Sequence, residues 1–163
     1  MIETILITGA NRGIGLALTK LSLTKKLRVE ACCRDLKNSI ELKKLSDEYT
    51  DLNIVEMDVK SSNSILKASK KFKNPIDILV CNAGINNGKG NIFSKEHNEK
   101  TILDVMMVNV AGPFLTIQHL YDNLNKKTIF IELNFYVSNY TKCTYTLCHS
   151  KLSELSKYKV SKA

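Results

Sequence analysis

Three groups of residues in this chain have types and spacings that chemistry can use. The first is the run Thr8-Gly9-Ala10-Asn11-Arg12-Gly13-Ile14-Gly15, which leaves a short apolar stretch, TILIT, and opens onto residues with helical spacing. Glycine at 9 permits a tight turn, glycine at 13 lets the backbone approach a pyrophosphate, and glycine at 15 lets a helix pack closely on a strand. A helix starting there offers free N–H groups and the positive end of its dipole to phosphate oxygens. The second group is Arg34 with Arg12. Arg34 stands 19 positions after Gly15, at the end of the run RVEACC. An acidic residue at that place would accept hydrogen bonds from an adenosine ribose and repel a 2′-phosphate. Two guanidinium groups flanking the ribose would pair with that phosphate instead. Asp35 falls one step further along and is expected outside the contact. The cofactor expected is therefore NADP(H) in preference to NAD(H). The third group is Tyr158 and Lys162, four positions apart and so on one face of a helix. An ammonium beside a phenol favours the phenolate and lowers a pKa that is otherwise ~10.

Elements that must position these residues follow from periodicity. Short β-branched runs at 4–8, 28–33, 52–59, 76–82 and 128–133 alternate with amphipathic stretches at 14–23, 40–49, 63–72, 101–124 and 152–163. The alternation predicts an α/β fold: a Rossmann-like, doubly wound parallel sheet of about five strands in three αβα layers. Pro113 falls near the middle of the longest predicted helix. Residues 84–99 and 135–151 break the rhythm as irregular segments after strand ends, the edge where open α/β sheets bind ligands. With no internal repeat and no linker, the 163 residues are expected to form one domain, residues 1–163.

Composition sets outer limits. With 44% hydrophobic and 25% charged residues, only 2 Pro and 7 Gly, the chain is neither disordered nor collagenous. Its net charge of +8 favours anionic partners in general. Lysines 142, 151, 157, 159 and 162 lack the aromatic interleaving of a nucleic-acid surface and read as a solvated face, so no specific nucleic-acid partner is expected. The longest apolar runs, at 5–7 and 76–81, fall far short of the ~20 residues that span a bilayer, so no membrane partner is expected. The N-terminus has no basic region before a long apolar one, and Cys32, Cys33, Cys81, Cys143 and Cys148 lie scattered through apolar runs. They are expected to be reduced, buried thiols of a cytoplasmic protein. The grouping of Cys143, Cys148 and His149 fits no common zinc spacing, and no metal is expected.

Several further motifs then fall in order, and together the set resembles the short-chain dehydrogenase/reductase family, nearest to its carbonyl-reductase and C-factor-like members. TGANRGIG is similar to that family's cofactor turn, which carries Asn11 and Ile14 into the expected site along with the glycines and Arg12. Asp58-Val59 ends the third strand where the family contacts adenine. Asn82-Ala83-Gly84 ends the fourth as its NAG motif does. Asn109 sits in Val-Asn-Val on the long helix, and Tyr158 and Lys162 form the Tyr-xxx-Lys pair. The resemblance implies hydride transfer between a nicotinamide and a small carbonyl or alcohol substrate. It implies Tyr158 as general acid/base, Lys162 on the nicotinamide ribose and Asn109 anchoring a proton-relay water. It leaves the oligomeric state open, and implies that a homo-oligomer, where one forms, would use the helices bearing Asn109 and Tyr158.

Two departures from the family pattern qualify this expectation. The family serine just after strand five falls at Asn134 or Phe135, so the carbonyl-binding role passes to Ser138, 20 residues before Tyr158, or to Asn134. The chain also stops one residue after Lys162, where the family continues. Strand five is then expected to be an uncovered apolar edge. NADP(H) binding is expected to be weak and turnover very low. The alternative reading is a non-catalytic NADP(H)-binding or interaction protein that keeps the dinucleotide half.

Overall fold

The structure, a computed structural model, describes residues 3–86, 93–135 and 143–149. Six strands form one sheet: β1 (Thr4–Thr8), β2 (Arg28–Cys33), β3 (Leu52–Glu56), β4 (Ile76–Cys81), β5 (Leu124–Phe135) and β6 (Cys143–His149), in the spatial order β3-β2-β1-β4-β5-β6. The first five are parallel, and β6 runs antiparallel against β5. The helices are α1 (Gly13–Thr24), α2 (Ile40–Glu48), α3 (Ser62–Ser69), α4 (Glu99–Met106) and α5 (Gly112–His119), with a π turn, Met107–Ala111, joining the last two. This is the doubly wound, Rossmann-like α/β fold that the alternation predicts.

Burial follows from the pleat. All five residues of β1 are buried, as expected for a strand covered on both faces. Ile5 and Ile7 point to one face, where they join Leu23 of α1 and Leu42 and Leu45 of α2. Leu6 points to the other, where it joins Ile65 and Ala68 of α3, Val108 and Leu120. Two apolar layers therefore clamp one sheet, and the three αβα layers result.

Register aligns the strand ends. Thr8 pairs with Cys32, Cys33 with Glu56, and Ile7 with Val80. The ladder extends past two strand ends: the Ala10 N–H donates to the Cys32 carbonyl at 2.9 Å and the Met57 N–H to the Cys33 carbonyl at 2.9 Å. The turns after β1, β2, β3 and β4 consequently gather along one edge. The chain leaves β1 toward β2 on one side, and β4 joins on the other. That reversal opens a crevice at the carboxyl ends of β1 and β4.

Four expectations are corrected. The predicted third strand stops at Glu56 rather than continuing to residue 59, because Met57, Asp58 and Val59 turn toward the crevice. The predicted helix 101–124 runs instead from Glu99 to His119 and changes pitch at Met107–Ala111. Pro113 explains the change: it has no N–H for the carbonyl of residue 109, four positions back, and the winding loosens there. This helix is also long and apolar enough to cross a membrane by length and composition, with 21 residues and a mean hydropathy of 1.3 over its best window. The uninterrupted runs counted in the sequence miss it because Asp104, Asn109 and Gln118 punctuate it. Finally, residues within 135–151 form strand rather than an irregular segment. β6 pairs along β5 from Phe135 with Cys143 to Ile129 with His149, so the expected bare edge of strand five is covered.

Cys32, Cys33 and Cys81 are buried free thiols. Burial, with Glu132 adding to it, pushes the Cys81 thiol up to about 12. In the folded protein near pH 8, Cys32 and Cys81 are expected to resist alkylation, and to react once the chain is unfolded; peptide mapping of labelled sites checks this. Leu79 of β4 is fully buried in the layer beneath α3 and α5. Leu79→Ala is expected to destabilise the fold by about 2–5 kcal/mol, read from denaturant unfolding.

Candidate cofactor site

The crevice is a cleft of about 450 Å³ at the carboxyl edge of the sheet. Its floor is a staple between β1 and β4. The Thr8 hydroxyl oxygen accepts from the Asn82 N–H at 3.0 Å and the Ala83 N–H at 2.9 Å, and donates to the Val80 carbonyl at 3.4 Å. Asn82 replies with its own amide, Nδ2 donating to the carbonyls of Thr8 at 2.8 Å and Gly9 at 3.1 Å. Both side chains are buried. Asn82 thus holds the glycine turn, and its amide is spent on the protein backbone.

The turn above this staple has the conformation its sequence requires. Gly9 and Gly13 have φ of +66° and +54°, in the left-handed region that side chains disfavour. Gly15 lies where α1 crosses β1 and β4: a Cβ there would collide with the Gly9 carbonyl oxygen and stand 2.5 Å from Asn82 Nδ2. Helix α1 begins behind Arg12, which is extended at φ −157° and supplies no side-chain cap. Its first N–H groups are left to face the cleft, where Gly13 and Ile14 form part of the wall. By contrast, Ser61 caps α3 and Asn98 caps α4 through side-chain oxygens.

Most of the expected cofactor residues come together here. Gly9, Asn11, Arg12, Gly13 and Ile14 line one side of the cleft, and Asn82, Ala83 and Gly84 line the other. Arg34 reaches it from the end of β2, and Asp58 and Val59 from the end of β3. Gly15 is buried behind the wall. Arg12 and Arg34 are both exposed, and neither has a carboxylate partner among the described residues. Asp58 is built into its own turn: its carboxylate accepts from the Lys60 N–H at 3.0 Å, and its N–H donates to Ser64 Oγ at 2.9 Å.

Asn109 stands just outside the lining and acts on it through Ile85. Its Oδ1 accepts from the Ile85 N–H at 2.9 Å, and its Nδ2 donates to the Ile85 carbonyl at 3.0 Å. The two bonds fasten the segment after β4 to the π turn. Tyr158, Lys162 and Ser138 lie outside the described residues. Asn134 lies in β5, paired with Thr144.

The sequence reading misses five contributors. Met57, Ile85 and Val108 give the cleft apolar wall, and Asp35 and Asn38 form its rim beside Arg34. The local signal is the Asp-Leu-Lys-Asn run, whose aspartate side chain closes a turn and so folds the chain back toward the cleft.

A glycine turn at the switch point of a doubly wound sheet, opening onto an uncapped helix N-terminus, is the architecture of a dinucleotide-binding domain. Residues 3–129 match the family model described as short chain dehydrogenase. The chain belongs to that family. It is 31% identical over 151 residues to a chloroplastic protochlorophyllide reductase of Cucumis sativus, covering 88% of this chain and 37% of that protein. An uncharacterised oxidoreductase of Schizosaccharomyces pombe is 34% identical over 125 residues, covering 74% of this chain and 49% of that one. Among solved structures, NADPH-bound carbonyl reductase from chicken fatty liver superposes with a TM-score of 0.66 at 31% identity, covering 74% of this chain and 48% of that one. A Burkholderia multivorans short-chain dehydrogenase/reductase with bound NADP gives 0.73 at 25% identity, covering 82% and 58%. The chain spans between a third and a half of the length of these curated relatives.

Gly15→Ala tests the packing of the turn. The added methyl has a backbone carbonyl and the Asn82 staple in its way, so the turn must move. The variant is expected to lose dinucleotide binding, measured by quenching or transfer of nicotinamide fluorescence, and to unfold at a lower temperature than the parent.

Proposed function

We propose that this chain supplies the NADP(H)-binding part of an oxidoreductase that moves hydride between the nicotinamide and a small carbonyl or alcohol substrate. The observation that carries the reading is the open N-terminus of α1 behind a left-handed glycine turn, with Arg12 and Arg34 on the same cleft. The residues fit the group. The first-turn N–H groups of α1 suit a diphosphate, and the exposed guanidinium groups of Arg12 and Arg34 suit an adenosine 2′-phosphate. Asp58 and Val59 border the place for the adenine. The carbonyl reductase of chicken fatty liver is described as NADPH-bound and the Burkholderia protein as NADP-bound, which supports the same cofactor here.

When bound, the reduced nicotinamide supplies the hydride that a carbonyl carbon accepts. The protein's part is orientation and proton supply. In this reading Tyr158 gives the carbonyl oxygen its proton, with its acidity raised by the Lys162 ammonium. Ser138 or Asn134 donates a hydrogen bond to the same oxygen. Asn109 holds Ile85 against the π turn, and so sets the wall along which the nicotinamide half would lie.

One observation favours the non-catalytic alternative. β6 runs away from the cleft, and its His149 end is level with Ile129. Tyr158 follows nine positions later.

Two measurements decide between these readings. NADPH is expected to bind at least about tenfold more tightly than NADH, and Arg34→Ala is expected to remove most of that difference while leaving NADH nearly unchanged. Equal affinities, or a preference for NADH, reject the cofactor assignment. Tyr158→Phe is expected to lower NADPH oxidation with aldehyde or ketone substrates by about 10²–10⁴-fold. An unchanged rate selects the non-catalytic reading.

A further inference from the structure

The rim of the cleft poses a problem for the cofactor reading. Asp35 is a carboxylate one residue from Arg34, exposed, and on the lining of the same cleft. A free carboxylate at the end of the second strand accepts hydrogen bonds from ribose hydroxyls and repels a 2′-phosphate. Left to itself, Asp35 would oppose the preference that Arg34 and Arg12 create.

The structure shows what restrains it. Asp35 Oδ1 accepts from the Lys37 N–H at 2.8 Å and from the Asn38 N–H at 3.2 Å. Asp35 Oδ2 accepts from Asn38 Nδ2 at 2.6 Å. The Asp35 carbonyl takes the Ser39 hydroxyl at 2.5 Å, which ties the same turn to the start of α2. Both carboxylate oxygens are therefore engaged inside the turn, and the side-chain bond to Asn38 is the first cause holding the carboxyl below its ordinary range. Two of the three carboxylate bonds come from backbone N–H groups and would survive truncation of the Asn38 side chain. Among the described residues only the amide of Asn38 holds Oδ2, the oxygen otherwise able to turn to a ribose.

We propose that Asn38 is a positioning residue for cofactor choice: by occupying Asp35 Oδ2 it keeps that carboxylate turned into the rim and leaves the 2′-phosphate place to Arg34 and Arg12. The proposal rests on the NADP(H) reading above. Asn38 acts through Asp35, so its effect exists only while Asp35 is an acid.

The experiment is a double-mutant cycle read as the ratio of NADH to NADPH dissociation constants, by calorimetry, in the parent chain, Asn38→Ala, Asp35→Ala and the double variant. Asn38→Ala is expected to lower the ratio by roughly three- to tenfold, weakening NADPH and tightening NADH. Tighter NADH binding also shows that the variant is folded. Asp35→Ala is expected to keep or raise the ratio, and adding Asn38→Ala to it to change nothing further. A parent ratio near or below one overturns the NADP(H) reading and this proposal with it. A parent that prefers NADPH, with a ratio unmoved in Asn38→Ala, overturns this proposal alone. So does an Asn38→Ala effect that persists undiminished without Asp35, which would place Asn38 on the cofactor itself.

Discussion

The exchange of hydrogen bonds between Thr8 and Asn82 is the constraint on which the site depends. Parallel strands β1 and β4 lie side by side, yet the ladder between them ends where the chain diverges. At that point buried backbone groups would lose their partners. The Thr8 hydroxyl takes two N–H groups from the far strand, and the Asn82 amide takes two carbonyls from the near one. The crevice can then be open above and fully bonded below. Gly9 sits directly on this seam, close enough that a Cβ would stand 2.9 Å from the Cα of Ala83. The left-handed turn is therefore held by the floor of the cleft as well as by its own glycines.

A second anchor works at the other end. Asn109 fastens the segment after β4, and it can do so because the long helix changes pitch around it. Pro113 withholds one N–H, the helix widens, and an asparagine amide replaces regular winding with a two-bond grip on Ile85. Val59 packs against Gly112 on the same stretch, so the end of β3, the π turn and the segment after β4 are fixed to one another. The cleft walls come from four different strand ends, yet each wall is tied to at least one other.

Much of this is legible in the residues. β1 and β2 fall at the bounds that their β-branched runs indicate, because a strand buried on both faces is written as an unbroken apolar run. The glycine turn is equally legible, since its spacing encodes backbone conformation directly. What the sequence hides are the interactions between distant positions. Nothing local marks Asn82 as a staple 74 residues from Thr8, or Asn109 as the partner of Ile85. The rim at Asp35 and Asn38 is hidden for a related reason: counting positions along a strand does not show that the next turn bends back. The pairing of β6 with β5 was hidden because its run of Cys, Thr, Tyr and Leu carries no clean alternation.

The helix caps differ in a way that couples occupancy to folding. α3 and α4 satisfy their leading amides with their own side chains, whereas α1 starts behind an arginine that does not. A serine or aspartate in that place would add about 1 kcal/mol to the empty fold. It would also fill the position that a diphosphate needs. An anion seated at that helix end would supply the stabilisation that a side-chain cap gives elsewhere. Any molecule that docks there acts as a missing piece of secondary structure, so its arrival should register as a rise in melting temperature that grows with its concentration.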